Sequence, residues 1–225
     1  MEIRFKIKDE ILRYLGYRGQ TIDVVIDRMI DDTIEEIKCL IKERYVYKTF
    51  NICKEEDGFY LKETDFYLPG EDIKDHLKNS DTCILMSATL GHDVDTKIRY
   101  YEKIDMTKAL IFDAAATAFI EEFCDRVCKE IEYSLKDTNK VLTSRYSPGY
   151  GDFSIGVQQE FLSVLGCQKS IGLTASSNSI LIPRKSVTAI LGVIEKHEKE
   201  KSRSCNDCNK YSTCAFSIGG EVCGY

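Results

Sequence analysis

The longest periodic segment of the chain constrains its fold most. Residues 106 to 135 carry a helical pattern of apolar positions, and no other segment of the chain sustains such a pattern for as long. An Asp-Ala-Ala-Ala stretch, residues 113–116, opens the small-residue part of this predicted helix. Side chains of that size let a neighbouring element approach the helix closely. The fold must therefore accommodate one long helix with tightly packed neighbours.

The order of the remaining patterns indicates an α+β fold. Further helices are predicted for residues 21–44, 93–101 and 153–165. Strands are predicted in two hairpins, residues 45–64 and 178–194, in a buried segment, residues 81–90, and in a short segment, residues 141–146. Helices and strands do not alternate as they do in parallel α/β proteins. The hairpins favour an antiparallel or mixed sheet flanked by helices.

Composition and charge exclude several classes of protein. The 225 residues suffice for one large domain or two small ones. A net charge of −6 argues against a general nucleic-acid binder, and no apolar run reaches the roughly 18 residues of a membrane span. The first ten residues alternate charged and apolar side chains, unlike a signal or transit peptide, so we expect a cytoplasmic protein. Neither a GxGxxG nor a GxxxxGK[ST] loop is present, which argues against a dinucleotide site or a P-loop.

Residues 145–152 (RYSPGYGD) form the most distinctive motif of the chain. Arg145 supplies a planar, permanent cation that suits a carboxylate or phosphate. Gly149 and Gly151 let the backbone turn sharply or approach a ligand, and Tyr150 offers an aromatic face. This combination suits a small ligand that carries a carboxylate and a flat ring. A Pro-Gly pair is equally typical of a surface turn.

The motif resembles the arginine-x-alanine-proline-glycine-tyrosine motif of the activation domain of cobalamin-dependent methionine synthase. Three further segments stand in the family's order: residues 85–91 (LMSATLG), 113–116 (DAAA) and 177–186 (SNSILIPRKS). Residues 14–17 (YLGY) are similar to the free-standing short form of that domain. The resemblance covers roughly residues 10 to 195. It implies a curved, C-shaped domain built around a twisted antiparallel sheet.

The resemblance also implies a ligand and the residues that hold it. The family motif binds S-adenosylmethionine, so Arg145 is expected to hold the carboxylate of that ligand. The backbone at Ser147 and Gly149 is expected to contact its adenine or amino-acid part. Ser147 stands where many relatives have alanine, a change that is tolerable if the backbone does the binding. Tyr150 is expected near the point where the methyl group meets cobalt.

Asp113 is the candidate anion for the positive charges of that ligand, because it matches a family aspartate in the same helix. An aspartate at the head of a helix is also favoured by the helix dipole. The family's glutamate one turn later is Thr117 here, which is a departure from the pattern. Residues 191–193 (LGV) replace a tyrosine-phenylalanine-serine segment, so its ligand contacts are not carried over. At residues 89–91 a strand-to-helix turn is favoured over a ligand contact.

The last 21 residues of the chain hold four of its ten cysteines. Their spacing is C-x2-C-x5-C-x8-C, and they are Cys205, Cys208, Cys214 and Cys223. Four thiolates can hold zinc or an iron–sulfur cluster, and the alternative is a flexible tail with free thiols. The charged run at residues 196–203 is typical of a linker. We therefore divide the chain into an activation-like domain, residues 1–195, and a linker with a cysteine-rich tail, residues 196–225. The other six cysteines are interpreted as small buried apolar side chains.

The function that the resemblance implies is the reactivation of a separate cobalamin-dependent methionine synthase. The chain would bind S-adenosylmethionine and support reductive methylation of cob(II)alamin held by that partner, with one electron from a donor such as flavodoxin or ferredoxin. Its contribution would be proximity and orientation, without a catalytic acid or base and only in the presence of the partner. Two alternatives stay open: a metal or iron–sulfur redox or interaction module, and a reactivator of a different corrinoid methyltransferase.

Overall fold

The computed structural model describes residues 2–55 and 58–196, with side chains from Ile7 onward. The four cysteines of the tail and most of the predicted linker lie outside the described residues. Within the described part, the α-helices are α1 (Glu2–Tyr14), α2 (Val24–Leu40), α3 (Glu71–Leu77), α4 (His92–Ile104), α5 (Met106–Ser134), α6 (Gln158–Leu165) and α7 (Cys167–Ser170). The strands are β1 (Arg44–Lys54), β2 (Phe59–Leu61), β3 (Tyr67–Leu68), β4 (Thr82–Thr89), β5 (Lys140–Leu142), β6 (Thr174–Ala175), β7 (Leu181–Ile182) and β8 (Ser186–Glu195). A short 3₁₀ turn (Ile155–Val157) precedes α6.

The main sheet has six strands in the order β3-β2-β1-β4-β8-β5, and every neighbouring pair is antiparallel. Strands β6 and β7 form a separate two-stranded sheet. The two long central strands run in register from Thr82 opposite Val193 to Thr89 opposite Ser186. The predicted α+β architecture with an antiparallel sheet is confirmed.

Strand β4 separates two hydrophobic cores. Ile84 and Met86 belong to the core beneath α1, α2, α4 and α5, which we call the first core. Cys83 and Leu85 belong to the core beneath α3 and α6, which we call the second core. Successive strand residues point to opposite faces, so a strand with uncharged side chains on both faces, such as β4, can be buried on both sides. This is why residues 83–89 are all buried and why the sheet carries helices on both faces.

Helix α5 is the centre of the first core. It contacts α1, α2 and α4, and its alanines at positions 115 and 116 are fully buried. The helix begins after Asp105, whose side chain accepts a hydrogen bond from the Lys108 N–H at 3.0 Å and so caps the helix. The small residues thus permit the close approach that the sequence predicts. The helix also begins about two turns before Asp113, so that aspartate does not stand at the helix head.

The predicted hairpin at residues 178–194 is wrong. Strand β7 pairs with β6, not with β8. Both edges of β8 are already occupied, one by β4 and the other by β5 together with a single bridge from Tyr146 to Ile190. Adjacent strands in the chain therefore belong to different sheets, since the free hydrogen-bonding edge that a hairpin needs does not exist.

The predicted strand at residues 141–146 is interrupted. Strand β5 ends at Leu142, the Thr143 N–H still donates to the Gly192 carbonyl of β8 at 3.0 Å, and the next bridge to β8 is at Tyr146. Between these points the Thr143 hydroxyl accepts the Gly192 N–H at 2.8 Å, in place of a main-chain carbonyl. A side chain that takes over a ladder hydrogen bond releases the backbone from the regular strand, which is why the strand pairing stops before Arg145.

The six cysteines of the main domain are buried less often than expected. Cys83, Cys124 and Cys167 are buried, but Cys53 and Cys128 are half-buried and Cys39 is exposed. Burial raises the pKa of Cys83 and of Cys124 to about 12, so these two thiols are protonated. They act as small apolar side chains, as the sequence predicts for the whole set.

A charged cluster joins α2 to α4 and α5. Glu36 of α2 accepts a hydrogen bond from the Tyr101 hydroxyl at 2.7 Å and lies 2.8 Å from Lys97 Nζ and 3.1 Å from Lys108 Nζ. Burial alone would raise the pKa of Glu36, but the three hydrogen bonds outweigh it and lower that pKa to about 2. The carboxylate is therefore ionised throughout the physiological range and ties three helices together.

Replacing Glu36 with glutamine is expected to lower the free energy of unfolding at pH 7 by about 2 kcal/mol, after allowance for partial exposure. Because the folded pKa is depressed, this stabilisation exists above the ordinary carboxyl pKa of 4.5 and is lost as the pH falls towards 2. Urea unfolding at pH 7 and at pH 3 measures both effects. The neighbouring, more exposed Glu35→Gln is the control and should change stability by less than about 0.5 kcal/mol. A constant difference between Glu36→Gln and wild type over this pH range would contradict the assignment.

Candidate functional site

Arg145 lies against the long helix α5. Its Nη2 donates a hydrogen bond to Glu121 Oε2 at 2.7 Å and lies 3.2 Å from Asp125 Oδ1. The side chain is only 17% exposed. Its Nη1 is buried and has no hydrogen-bond partner among the described residues. Burial would lower the pKa of Arg145, but Cys124, Glu121 and Asp125 raise it, so the guanidinium stays charged. One side of this cation is engaged by acids, and the other has an unmet hydrogen-bonding requirement.

The Pro-Gly segment after Arg145 is a closed turn. The Gly149 N–H donates to the Phe153 carbonyl at 2.7 Å, and the Tyr150 N–H donates to the Ser147 carbonyl at 3.1 Å. Gly149 has a φ of +98° and Gly151 a φ of +52°, both in the left-handed region that glycine adopts most easily. The surface-turn interpretation of the motif is therefore correct as a description of its backbone, and it is compatible with a ligand above the turn.

Asp152 fixes this turn to helix α3. Its carboxylate accepts hydrogen bonds from the Glu71 N–H at 2.7 Å and the Asp72 N–H at 3.0 Å, and the Asp72 carboxylate accepts the Asp152 N–H at 3.1 Å. The residue before α3 is Gly70, which has no side chain, so Asp152 caps the helix from 81 residues away. These N–H groups lower the pKa of Asp152. Sequence reasoning assigned no role to Asp152, because no local spacing reveals a cap supplied by a distant loop.

The Tyr146 ring of the motif packs against the second core, and the Tyr150 ring lies beside it. The Tyr146 ring stands 4.9 Å from the His76 ring and 5.7 Å from the Tyr150 ring, centroid to centroid. Tyr146 packs on the second core, whereas Arg145 contacts α5 in the first core layer. Consecutive residues of an extended segment point to opposite faces, which explains this division. The structure thus places the Arg145 guanidinium and the Tyr146 ring on different sides of the segment.

Asp113 has a cationic partner within the chain. Its Oδ1 lies 2.9 Å from Lys185 Nζ, and the same ammonium donates to the Asp113 carbonyl at 3.1 Å and to the Thr117 hydroxyl at 2.9 Å. The interpretation of Asp113 as a dipole-favoured residue is wrong, because the helix dipole acts within the first turn and Asp113 lies beyond it. The carboxylate instead anchors the segment between β7 and β8.

Three of the four segments that resemble the family meet at one end of the central strands. Thr89 stands opposite Ser186, and their hydroxyls are 2.8 Å apart. Gly91, with a φ of +89°, directly precedes helix α4, so residues 89–91 form the expected strand-to-helix turn. The Leu90 N–H donates to the Lys185 carbonyl at 3.0 Å, which brings this turn beside the lysine that binds Asp113. Three segments that are far apart in the sequence therefore lie together in the fold.

One face of α5 connects this location to Arg145. Acidic and hydroxyl side chains recur at every fourth residue there and so share a face of the helix. These residues are Asp113, Thr117, Glu121 and Asp125, and we call them the polar row of α5. Lys185 binds the first two members, and Arg145 binds the last two. The spacing of the row was visible in the sequence, but its significance depends on the two cations that fold onto it.

The end of helix α1 also reaches this row. Tyr14 is the last residue of α1, and the Arg13 guanidinium lies 4.4 Å from the centre of its ring. The pKa of Tyr14 is raised, first by burial and further by the negative charge of Glu121. Residues 14–17, which resemble the free-standing family members, therefore begin beside the acids that hold Arg145.

The described residues contain no group of three or more histidine, cysteine or acidic side chains arranged to hold a metal ion. Among the helices of residues 2–55 and 58–196, none is long and apolar enough to cross a membrane. The metal prediction for Cys205, Cys208, Cys214 and Cys223 lies outside these residues.

Comparison with known proteins supports the fold. No family model matches the chain, and no curated protein sequence matches it significantly. The structure is similar to a crystal structure of the MetH reactivation domain bound to AdoHcy, with a TM-score of 0.61 and 13% sequence identity. The match covers 86% of this chain and 74% of that domain. At this identity the similarity shows a related α+β fold, and it agrees with the architecture described above.

Proposed function

We propose that the protein binds S-adenosylmethionine and supports the reductive methylation of cob(II)alamin on a separate cobalamin-dependent methionine synthase. The observation that carries the proposal is the position of Arg145, a charged guanidinium held against α5 at the start of the Pro-Gly turn, in a fold similar to the MetH reactivation domain. That neighbour binds AdoHcy, which is S-adenosylmethionine without its transferable methyl group. A ligand with an amino-acid carboxylate is what such a guanidinium suits.

In this proposal the chain positions the methyl donor and performs no acid–base chemistry. Arg145 holds the ligand carboxylate, and the backbone at Ser147 and Gly149 lies against the rest of the ligand. Tyr150, with a ring that is partly exposed, stands near the point of methyl transfer. The partner's cobalamin supplies the metal chemistry, in which one electron and the sulfonium methyl group together give methylcobalamin and S-adenosylhomocysteine. Holding the two reactants together is the contribution of this chain.

The partners follow from this role. We propose a cobalamin-carrying methionine synthase subunit as the acceptor and a one-electron donor such as flavodoxin or ferredoxin as the reductant. A cytoplasmic location suits both partners and the ten thiols of the chain.

For the tail we propose one zinc ion or one iron–sulfur cluster held by its four thiols, Cys205, Cys208, Cys214 and Cys223. Elemental analysis of anaerobically prepared protein tests this directly. Cys208→Ser is expected to lose the metal, whereas Cys167→Ser, a change in the second core, is the control that should keep it. Protein with neither zinc nor iron would contradict the proposal for the tail and leave the ligand site unaffected.

Calorimetric titration of the isolated chain with S-adenosylmethionine tests the proposed function most directly. We expect binding of one ligand per chain and competition by S-adenosylhomocysteine, because both carry the same carboxylate and adenine. The absence of any heat of binding with either ligand, for protein shown to be folded by circular dichroism, would contradict the proposal.

A further inference from the structure

Helix α3 contacts the segment that carries the motif at both of its ends. Asp72 and His76 are four residues apart and therefore share one face of α3. The His76 ring lies 4.9 Å from the Tyr146 ring, centroid to centroid, near the start of the motif. The Asp72 carboxylate accepts the Asp152 N–H at 3.1 Å at the end of the motif. One short helix thus holds the chain just before and just after the Pro-Gly turn.

The contact between α3 and Asp152 is reciprocal. Asp152 accepts the Glu71 and Asp72 N–H groups, and Asp72 accepts the N–H of Asp152. We call this arrangement of Asp72 and Asp152 the aspartate clamp. Each carboxylate receives a main-chain donor, which offsets the cost of holding two acids side by side. A local cap would need only a polar side chain at position 70, whereas the clamp ties the helix to a loop 80 residues away.

Two glycines leave the space that the clamp occupies. A Cβ atom at Gly70 would collide with the Asp152 carboxylate, and a Cβ atom at Gly151 would collide with the Asp72 carboxylate. The carboxylates could make room only by leaving the N–H groups that they accept. Both glycines also have a positive φ, +109° and +52° respectively. The bare backbone at Gly151 is therefore explained by its close approach to α3.

The clamp fixes the exposed part of the motif. Pro148 and Phe153 are buried, whereas residues 149–152 between them are exposed. The hydrogen bonds within the turn set its shape, and the clamp bonds the turn to a helix and so sets its position. The proposed ligand contacts at Gly149 and Tyr150 lie in this exposed part. Their position relative to the rest of the protein therefore depends on the clamp.

We propose that Asp72 and Asp152 are positioning residues for the methyl donor, which hold the exposed part of the turn where its backbone and Tyr150 meet the ligand. This inference rests on the proposed function and names the device that prepares the ligand turn. A turn that moves freely has to be ordered when the ligand binds, and that entropic cost weakens binding. Neither carboxylate touches the ligand, because both act through the turn.

Replacing Asp152 tests the clamp from the side of the motif. Asp152→Ala removes both acceptors, whereas Asp152→Asn keeps one, since asparagine also caps helices. We expect Asp152→Ala to bind S-adenosylmethionine about tenfold more weakly than wild type, and Asp152→Asn to recover the affinity to within about threefold of wild type. In ligand-free Asp152→Ala, hydrogen exchange of the Tyr150 and Phe153 N–H groups should become at least about fivefold faster.

Glu71→Ala is the matched control for Asp152→Ala. It removes a carboxylate that binds Lys74 from the first turn of α3, but it keeps the N–H that Asp152 accepts. Ligand affinity and the exchange of the turn should both stay within about twofold of wild type.

Gly151→Ala tests the clamp from the opposite side, because the new methyl group displaces Asp72. Its control is Gly166→Ala, which also places alanine at a positive φ, +70°, but has open space around the new methyl group. We expect about a tenfold loss of affinity in Gly151→Ala and no loss in Gly166→Ala, since both carry the backbone strain and only the first opens the clamp.

The inference is overturned if folded Asp152→Ala and Gly151→Ala bind S-adenosylmethionine as wild type does, or if hydrogen exchange of the turn is unchanged in Asp152→Ala. A loss of affinity in Asp152→Ala that Asp152→Asn does not recover would also overturn it. These results would leave the proposed function intact, because wild type still binds the ligand. If folded wild-type protein binds no S-adenosylmethionine, the proposed function itself fails and the inference fails with it.

Discussion

Replacing Arg145 with alanine is expected to weaken the binding of S-adenosylmethionine about ten- to a hundredfold, which corresponds to roughly 1.5–3 kcal/mol for a lost charge-assisted hydrogen bond. The truncation also leaves Glu121 and Asp125 without their shared cation, so they repel each other and retain an excess of negative charge. Carboxylate recognition is lost at the same time. Calorimetry with wild type and mutant at one salt concentration measures the change, because screening alters every charged contact.

Arg126→Ala is the control for this experiment. Arg126 lies on α5 beside the same acids, but it is bound to Glu43 and Glu122 and is about half exposed. Its removal deletes one arginine from the same surface without affecting the Arg145 contacts, so ligand affinity should change by less than about twofold. Equal affinity of wild type and Arg145→Ala would remove Arg145 from the ligand site and with it the main support for the proposed function.

The parts of the fold that sequence predicted correctly are those with long, buried patterns. Helix α5 and strand β4 are recognisable because burial sets the pattern of each whole segment. Helix α5 packs an apolar stripe against three helices, and β4 is buried on both faces. The predicted end of the helix at residue 165 is also confirmed, since the left-handed Gly166 follows it, but the helix begins at Gln158 and not at residue 153.

The elements that sequence missed depend on distant partners. Helix α1 was not predicted, and its buried residues Ile7 and Ile11 are recognisable as core only once α5 lies beside them. Helix α3 has seven residues and is capped by Asp152 from the Pro-Gly loop. Strand β7 looks like a hairpin partner of β8, but the edges of β8 are filled by segments far away in the chain. No local pattern encodes such pairings.

In the candidate site too, local sequence predicted the segments but not the contacts between distant residues. Its segments were identified from their order and composition, and three of them lie together in the structure. Their contacts were not predictable, because Lys185 reaches Asp113 across 72 residues and Arg145 reaches Glu121 across 24. A periodic row of acids on a helix normally indicates a solvent-exposed face, and only the fold shows which cations contact it.

The proposed function predicts an all-or-none effect in a reconstituted system. Mixed with a cobalamin-loaded methionine synthase that lacks its own activation domain, and supplied with S-adenosylmethionine and a low-potential reductant, the chain is expected to convert cob(II)alamin to methylcobalamin. Without the chain, this conversion should be negligible, because nothing holds the methyl donor against the partner's cobalt. The visible spectrum of the corrin reports the conversion continuously, and the chain without the partner should methylate nothing.

Two variants connect this reaction to the site. Arg145→Ala should slow methylcobalamin formation at subsaturating S-adenosylmethionine in proportion to its weaker binding. Tyr150→Phe keeps the ring that packs on Tyr146 and removes only the hydroxyl, so it should retain donor binding and slow the methylation step if the phenol stands near the corrin. Methylcobalamin formation at an equal rate without the chain would contradict the proposed function. Formation only with an unrelated corrinoid protein as acceptor would replace methionine synthase with a different corrinoid methyltransferase as the partner. The proposed donor site at Arg145 would be kept, because it carries no information about the acceptor.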